Sequence, residues 1–174
     1  MLGSGQELVR LPFAFPKSIR LNVTNETMKE EDLLVTWQLR NADGSIVRRE
    51  ECPVHVPALT SVWLDRTELP EAELYSQYVS YQAYKDDVCV SEGTVIFSYP
   101  KYFRYEDPCL KAEVHGNLLT ISASAYAARV EIQNENEDLV LSDNYFDMNA
   151  GTKTVEILGG STEHLRLRSV YDIH

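Results

Sequence analysis

Polar and hydrophobic residues alternate along most of this chain, with the period of two that belongs to half-buried β-strands. In IRLNV, residues 19–23, the apolar Ile19, Leu21 and Val23 share one face. LLVTWQLRNADGSIVRRE reads as two strand runs joined at Asp43-Gly44, a dipeptide that suits the positive φ of a tight hairpin turn. CPVHVPALTSVWLD supplies two further short runs, punctuated by Pro53 and Pro57. Proline cannot donate to a ladder, so this region predicts an edge strand or a strand switch. QYVSYQAYKDDVCVSEGTVIFSY is a second hairpin: Tyr78, Ser80, Gln82 and Tyr84 alternate with Val79, Tyr81 and Ala83, and the turn falls near Asp86-Asp87. PKYFRYEDPCL, residues 100–110, has two prolines, several aromatics and no period, and reads as a connector. The strand pattern then restarts, with turns at Gly116-Asn117 and across 134–138, and clean alternation in TKTVEI and HLRLRSV. ELPEAELYS, residues 68–76, is the one helix candidate.

Many short strands separated by turn signals every roughly 8–12 residues predict sandwiches. The expected fold is all-β, with two consecutive immunoglobulin-like β-sandwich domains. Residues 1–16 read as a linker or cloning remnant, 17–99 as the first sandwich, 100–109 as the connector and 110–174 as the second sandwich. Trp37 sits mid-strand, where such sandwiches often bury a tryptophan, but the flanking cysteines of an antibody domain are missing.

Composition narrows the partners. The net charge of −11 repels phosphate backbones and anionic lipid heads, so neither nucleic acid nor a membrane surface is expected as a partner. The apolar runs are only a few residues long, too short for a membrane-spanning helix. MLGSGQELVR has no basic start and no apolar core of a signal peptide. The three cysteines, Cys52, Cys89 and Cys109, are odd in number and widely spaced. They suggest a reducing, cytoplasmic compartment with thiols used as small hydrophobes; one bridge plus a free thiol is the alternative. Asn22-Val23-Thr24 and Asn25-Glu26-Thr27 match the N-glycosylation pattern and are read as chance matches on a polar turn.

No nucleophile elbow, phosphate-binding loop or dinucleotide fingerprint is present. His55, His115, His164 and His174 are scattered without ligand spacing. Acidic pairs such as Glu30-Glu31 and Asp86-Asp87 lie in turns or at strand ends, not in the facing arrangement that glycoside hydrolysis needs. No catalytic residue, cofactor or metal site is therefore expected. Tyr75, Tyr78, Tyr81 and Tyr84 go to both faces of a strand and read as packing. The aromatics of 99–105, including Tyr102, Phe103 and Tyr105, read as domain glue, with an exposed carbohydrate platform as the alternative.

SDNYFDMNAGTKTVEI, residues 142–157, is the most distinctive stretch. Strand alternation places Asn144, Phe146 and Met148 inward and Asp143, Tyr145 and Asp147 outward. Asn149, Ala150 and Gly151 then make a turn, with Gly151 at positive φ. The Asp-Asn-Tyr-Phe-Asp run resembles the last domain of the β-mannosidases of glycoside hydrolase family 2. Met148 stands where the family has Leu, and Ala150 where it often has Pro. LTISASAYAARVEI and LRLRSVYDIH are similar to strands of the same domain, and IRLNVTNET with LLVTWQLRNADGSIV to the domain that follows the catalytic barrel. FSYPKYFRYEDPCL resembles the junction between the two domains. The resemblance covers roughly residues 17–172, and its specific part is the Asp-Asn-Tyr-Phe-Asp run. It implies accessory domains that pack on and stabilise a catalytic (β/α)₈ barrel hydrolysing terminal β-mannosides. The barrel's two glutamates have no counterpart here. The implied partner is the barrel of the same parent chain, with Tyr145, Asp143, Tyr102, Phe103 and Tyr105 as interface candidates. A stand-alone carbohydrate-binding or adhesion module is the alternative.

Overall fold

The computed structural model describes residues 2–4 and 17–173; the rest of the stretch read as a linker or remnant lies outside the described residues. The described residues form sixteen strands and two 3-10 turns, Pro100–Tyr102 and Val170–Ile173. They divide into two compact units, Met1–Asn41 with Ile46–Phe103, and Ala42–Ser45 with Arg104–His174.

In the first unit, one layer is the sheet β5-β4-β8-β9, built from β4 (Glu31–Asn41), β5 (Ile46–Val56), β8 (Gln77–Lys85) and β9 (Val88–Ile96). The other layer combines β1 (Leu2–Ser4), β3 (Leu21–Asn25) and β6 (Thr60–Trp63) with the short pair β2 (Ser18–Ile19) and β7 (Thr67–Glu68). All pairings are antiparallel. The period of two decides what is buried. Ile19, Leu21 and Val23 face Val35, Trp37, Leu39, Val54, Val79 and Ala83 across one core. Arg48 lies at its margin, with its guanidinium 5.4 Å from the Trp37 ring centre and paired to Glu71 at 3.2 Å.

The turns follow from their residues. Gly44 has φ +87°, and the Asp43 carboxylate accepts the Ser45 N–H at 2.8 Å. Asp86 and Asp87 both adopt positive φ, the geometry that matches the twist of a two-residue hairpin. Pro53 lies inside β5, which runs unbroken from Ile46 to Val56 where two separate runs are expected from the sequence. The strand tolerates it because β5 is an edge of its sheet.

Two other expectations are corrected. Residues 68–76 form no helix: Thr67–Glu68 is a strand and the remainder is turns, with Leu69 and Ala72 drawn into the core. Two turns of helix is below the length that holds without strong tertiary support. The three cysteines are exposed and form no disulfide, instead of acting as buried hydrophobes. Cys52 and Cys89 sit on the two edge strands of the four-stranded sheet, where little lies beyond them.

Asn25, at the end of β3, is buried and holds a loop together. Its amide nitrogen donates to the carbonyls of Lys29, Val56 and Pro57 at 2.7, 3.1 and 3.2 Å. Its oxygen accepts the Thr27 N–H and hydroxyl at 2.9 and 2.8 Å. A side chain so enclosed has no room for a glycan.

The second unit stacks the sheet β10-β11-β15-β13 on the sheet β14-β12-β16. Its strands are β10 (Lys111–His115), β11 (Leu118–Ala123), β12 (Ala127–Gln133), β13 (Val140–Leu141), β14 (Phe146–Met148), β15 (Gly151–Gly159) and β16 (Arg166–Arg168). Leu119, Ile121 and Val155 from one sheet meet Val130, Ile132, Phe146 and Met148 from the other. Gly160 has φ +87°, and a Cβ there would come 2.2 Å from the Asp138 carbonyl oxygen, so only glycine fits.

Replacing Asn25 with alanine should orphan buried backbone groups and lower stability by at least about 1–3 kcal/mol. Urea denaturation measures this. A variant as stable as the wild type would mean that the loop does not depend on the amide.

Candidate functional site

The Asp-Asn-Tyr-Phe-Asp run works as a clamp. β14 is only three residues long, so the run reaches its neighbours largely through side chains. Asn144 sits where the ladder between β14 and β12 would continue. Its oxygen accepts the Ile132 N–H at 2.9 Å and its nitrogen donates to the Ile132 carbonyl at 2.9 Å. One carboxamide thus replaces one peptide group of a strand. Phe146 and Met148 point into the core, as the alternation predicts. Asp147 accepts the Arg129 N–H at 2.8 Å and the Tyr126 hydroxyl at 3.3 Å. Arg129 has φ +51° and lies at a register shift between Ala127 and Val130, so Asp147 holds a bulge in β12.

Asp143 pairs with Lys153 at 3.1 Å, and the Lys153 ammonium also lies 4.3 Å from the centre of the Phe146 ring. Tyr145 departs from strand geometry, with φ +62°, and is 62% exposed. Its hydroxyl donates to Glu131 at 2.8 Å. Glu131 is only 7% exposed, between Tyr145 on one side and Arg168 of β16, its ladder partner and ion-pair partner, on the other. Gln133 also donates to it, at 2.7 Å. The Arg168 guanidinium, helped by the Tyr145 hydroxyl, holds the Glu131 carboxyl below its ordinary range. The same carboxylate raises the Tyr145 phenol.

The structure distributes the five predicted interface residues unevenly. Asp143 and Tyr145 are exposed side by side in the clamp. Tyr105 is half-buried and stacks on Tyr126, ring centres 6.1 Å apart. Burial, reinforced by the charge of Asp147, pushes its phenol up to about 12. In the first unit Tyr102 is exposed, edge-on to Tyr99 at 6.4 Å, with the Lys101 ammonium 4.7 Å from its ring. Phe103 is 3% exposed and has almost no surface to offer.

A second feature escapes the motif reading. The outer face of β5-β4-β8 carries a groove of about 540 Å³, lined among others by Leu34, Thr36, Gln38, Glu51, Gln82 and Tyr84. The alternation on β4 and β8 already assigns all of these side chains except Glu51, which lies on β5, to one face. Only the register, which sets Leu34 beside Tyr84 and Thr36 beside Gln82, brings them together.

Two outcomes follow from the clamp. Asn144→Ala should cost about 1–3 kcal/mol for each Ile132 group left unpaired, read by chemical denaturation. A loss near zero would show that the backbone closes the gap by itself. A carboxyl held low in the folded state stabilises the fold above its unfolded value, and that contribution fades as pH falls through the folded value. For Glu131 the loss should run downward from about pH 4.5. Glu131→Gln should therefore flatten the acid side of the stability–pH curve; an unchanged slope would rule out Glu131 as a contributor.

Residues 17–102 match the Mannosidase Ig/CBM-like domain model, and residues 105–173 match the mannosidase Ig-fold domain model. The sequence matches no curated protein. Among solved structures the chain is similar to a β-D-mannosidase from Dictyoglomus thermophilum, with a TM-score of 0.76 and 14% identity over 97% of this chain and 21% of that one. It is also similar to the exo-chitosanase CsxA of Amycolatopsis orientalis, with a TM-score of 0.58 and 12% identity over 88% of this chain and 24% of that one. The chain thus spans between a fifth and a quarter of the length of these enzymes. At such identities the structural likeness speaks for the fold, and the family models add the lineage. The chain belongs to the mannosidase-type immunoglobulin-like families, with a Mannosidase Ig/CBM-like domain followed by a mannosidase Ig-fold domain.

Proposed function

We propose that this chain is the non-catalytic accessory region of a β-mannosidase-like glycoside hydrolase, where it packs on and stabilises a catalytic barrel that cleaves terminal β-mannosides. The observation that carries this reading is the order of the two units. A Mannosidase Ig/CBM-like domain is followed directly by a mannosidase Ig-fold domain, and together they fill residues 17–173. Nearly the whole chain is similar to part of one β-mannosidase. Three exposed cysteines that form no disulfide suit a reducing, cytoplasmic location, which we include in the proposal.

Tyr145 and Asp143 are the surface we assign to the barrel contact. Tyr145 combines a large exposed ring with a hydroxyl already fixed on Glu131, so little side-chain freedom remains to be lost on docking. Tyr102 offers a similar exposed ring in the first unit.

The purified chain should release no nitrophenol from nitrophenyl β-mannoside; steady release by contaminant-free protein would overturn the accessory reading. In the parent enzyme, Tyr145→Ala should lower the thermal midpoint or the activity more than the same change lowers the midpoint of this chain alone. Equal losses in the two contexts would remove Tyr145 from the interface.

A further inference from the structure

We infer that the outer face of the four-stranded sheet in the first unit binds a neutral oligosaccharide. The pairing register arranges the groove in rows. Leu34 lies beside Tyr84, which gives an apolar strip. The next row is Glu51, Thr36 and Gln82, and beyond it Gln38 lies beside Ser80. A pyranose has an apolar C–H face and a rim of hydroxyls that both donate and accept. An apolar strip flanked by a polar row matches those two surfaces.

The polar row is already oriented. The Tyr84 hydroxyl donates to the Gln82 carboxamide oxygen at 2.9 Å, which fixes the amide and leaves its N–H groups to donate elsewhere. Arg40 does the same to Gln38, donating to its oxygen. Arg40 is itself held by the Ser80 hydroxyl, 3.2 Å from its Nε. Two carboxamides, oriented before a ligand arrives, therefore present donors, and Thr36 and Glu51 supply acceptors beside them. Leu34 is 39% exposed although its neighbours in sequence, Leu33 and Val35, are drawn into the core. The core does not require an apolar residue there.

The volume and charge restrict the ligand. A groove of about 540 Å³ falls in the usual range of ligand clefts, roughly 300–1,000 Å³. Asp32, Glu50, Glu51, Asp86 and Asp87 line it and outnumber its neighbouring cations, Arg49, which pairs with Glu51 at 3.1 Å, and Arg40, which is engaged by Gln38 and Ser80. That excess of carboxylates repels uronic acid and sulfated chains. The inference holds whether or not the chain is joined to a barrel, because all these residues lie within the first unit.

The test is a titration of the isotope-labelled chain, followed by amide NMR, with linear manno-oligosaccharides, cello-oligosaccharides and oligogalacturonides. At least one neutral series should shift the amides around Thr36, Gln38 and Gln82, and the oligogalacturonides should not. Gln82→Ala and Tyr84→Ala should each weaken binding by about tenfold. Gln38→Ala, at a residue outside the core cluster and bonded to Arg40 instead of Tyr84, supplies a third variant should one of these fail to give a dispersed, folded spectrum. The inference is overturned if neither neutral series shifts these amides, if the oligogalacturonides bind as well, or if folded variants bind like the wild type.

Discussion

The second unit depends on one strand being gripped from both sides. β12 is the centre of a three-stranded sheet whose neighbours, β14 and β16, have three residues each. Strands that short cannot satisfy the backbone of a seven-residue partner by ladder bonds alone. The Asp-Asn-Tyr-Phe-Asp run supplies the rest with side chains, Asn144 at Ile132 and Asp147 at the Arg129 bulge, while Tyr145 ties the run to the Glu131 carboxylate. Phe146, between them, is the residue that enters the core. A polar motif that looks like a binding site is thus occupied by its own fold.

The same device recurs. Asn25 in the first unit, and Asn144 and Asn134 in the second, each use a carboxamide in place of a missing peptide group. Asn134 accepts the Asp138 N–H at 3.1 Å and donates to the Ser161 carbonyl at 2.9 Å. Carboxamides suit this role because they carry a donor pair and an acceptor at the geometry of a peptide, without a charge to desolvate. Aspartate at these positions would keep the acceptor and lose the donor.

The strands and hairpin turns were legible because their cause is local. Alternation at 19–23 and on β4 and β8 follows from which side chains need burial, and Asp43-Gly44 and Asp86-Asp87 follow from turn sterics. The inward placement of Phe146 and Met148 was legible for the same reason. What failed depended on neighbours that a single segment does not show. Residues 68–76 have helical composition, but Leu69 and Ala72 serve the core better in a turn. The exposure of Cys52 and Cys89 follows from sheet order, which decides that β5 and β9 are edges. The αL geometry of Tyr145 follows from the clamp itself: the chain must swing Asn144 onto Ile132 and Phe146 into the core within two residues.

The clamp and the outer face of the first unit's sheet differ in how far the fold explains them. In the clamp, four of the five motif side chains have a structural partner that accounts for their chemistry, and Phe146 has the core. Only the ring of Tyr145 extends beyond what the clamp requires. On the outer face of β4 and β8 the position is reversed. Neither Leu34, Thr36 nor Gln82 is demanded by the core beneath, which Val35, Trp37 and Ala83 already fill. A sheet face that needs only solubility is served by charged residues, and this chain has them in abundance. An apolar strip beside two anchored carboxamides serves solubility poorly and ligand contact well, and this contrast is what the inferred oligosaccharide site rests on.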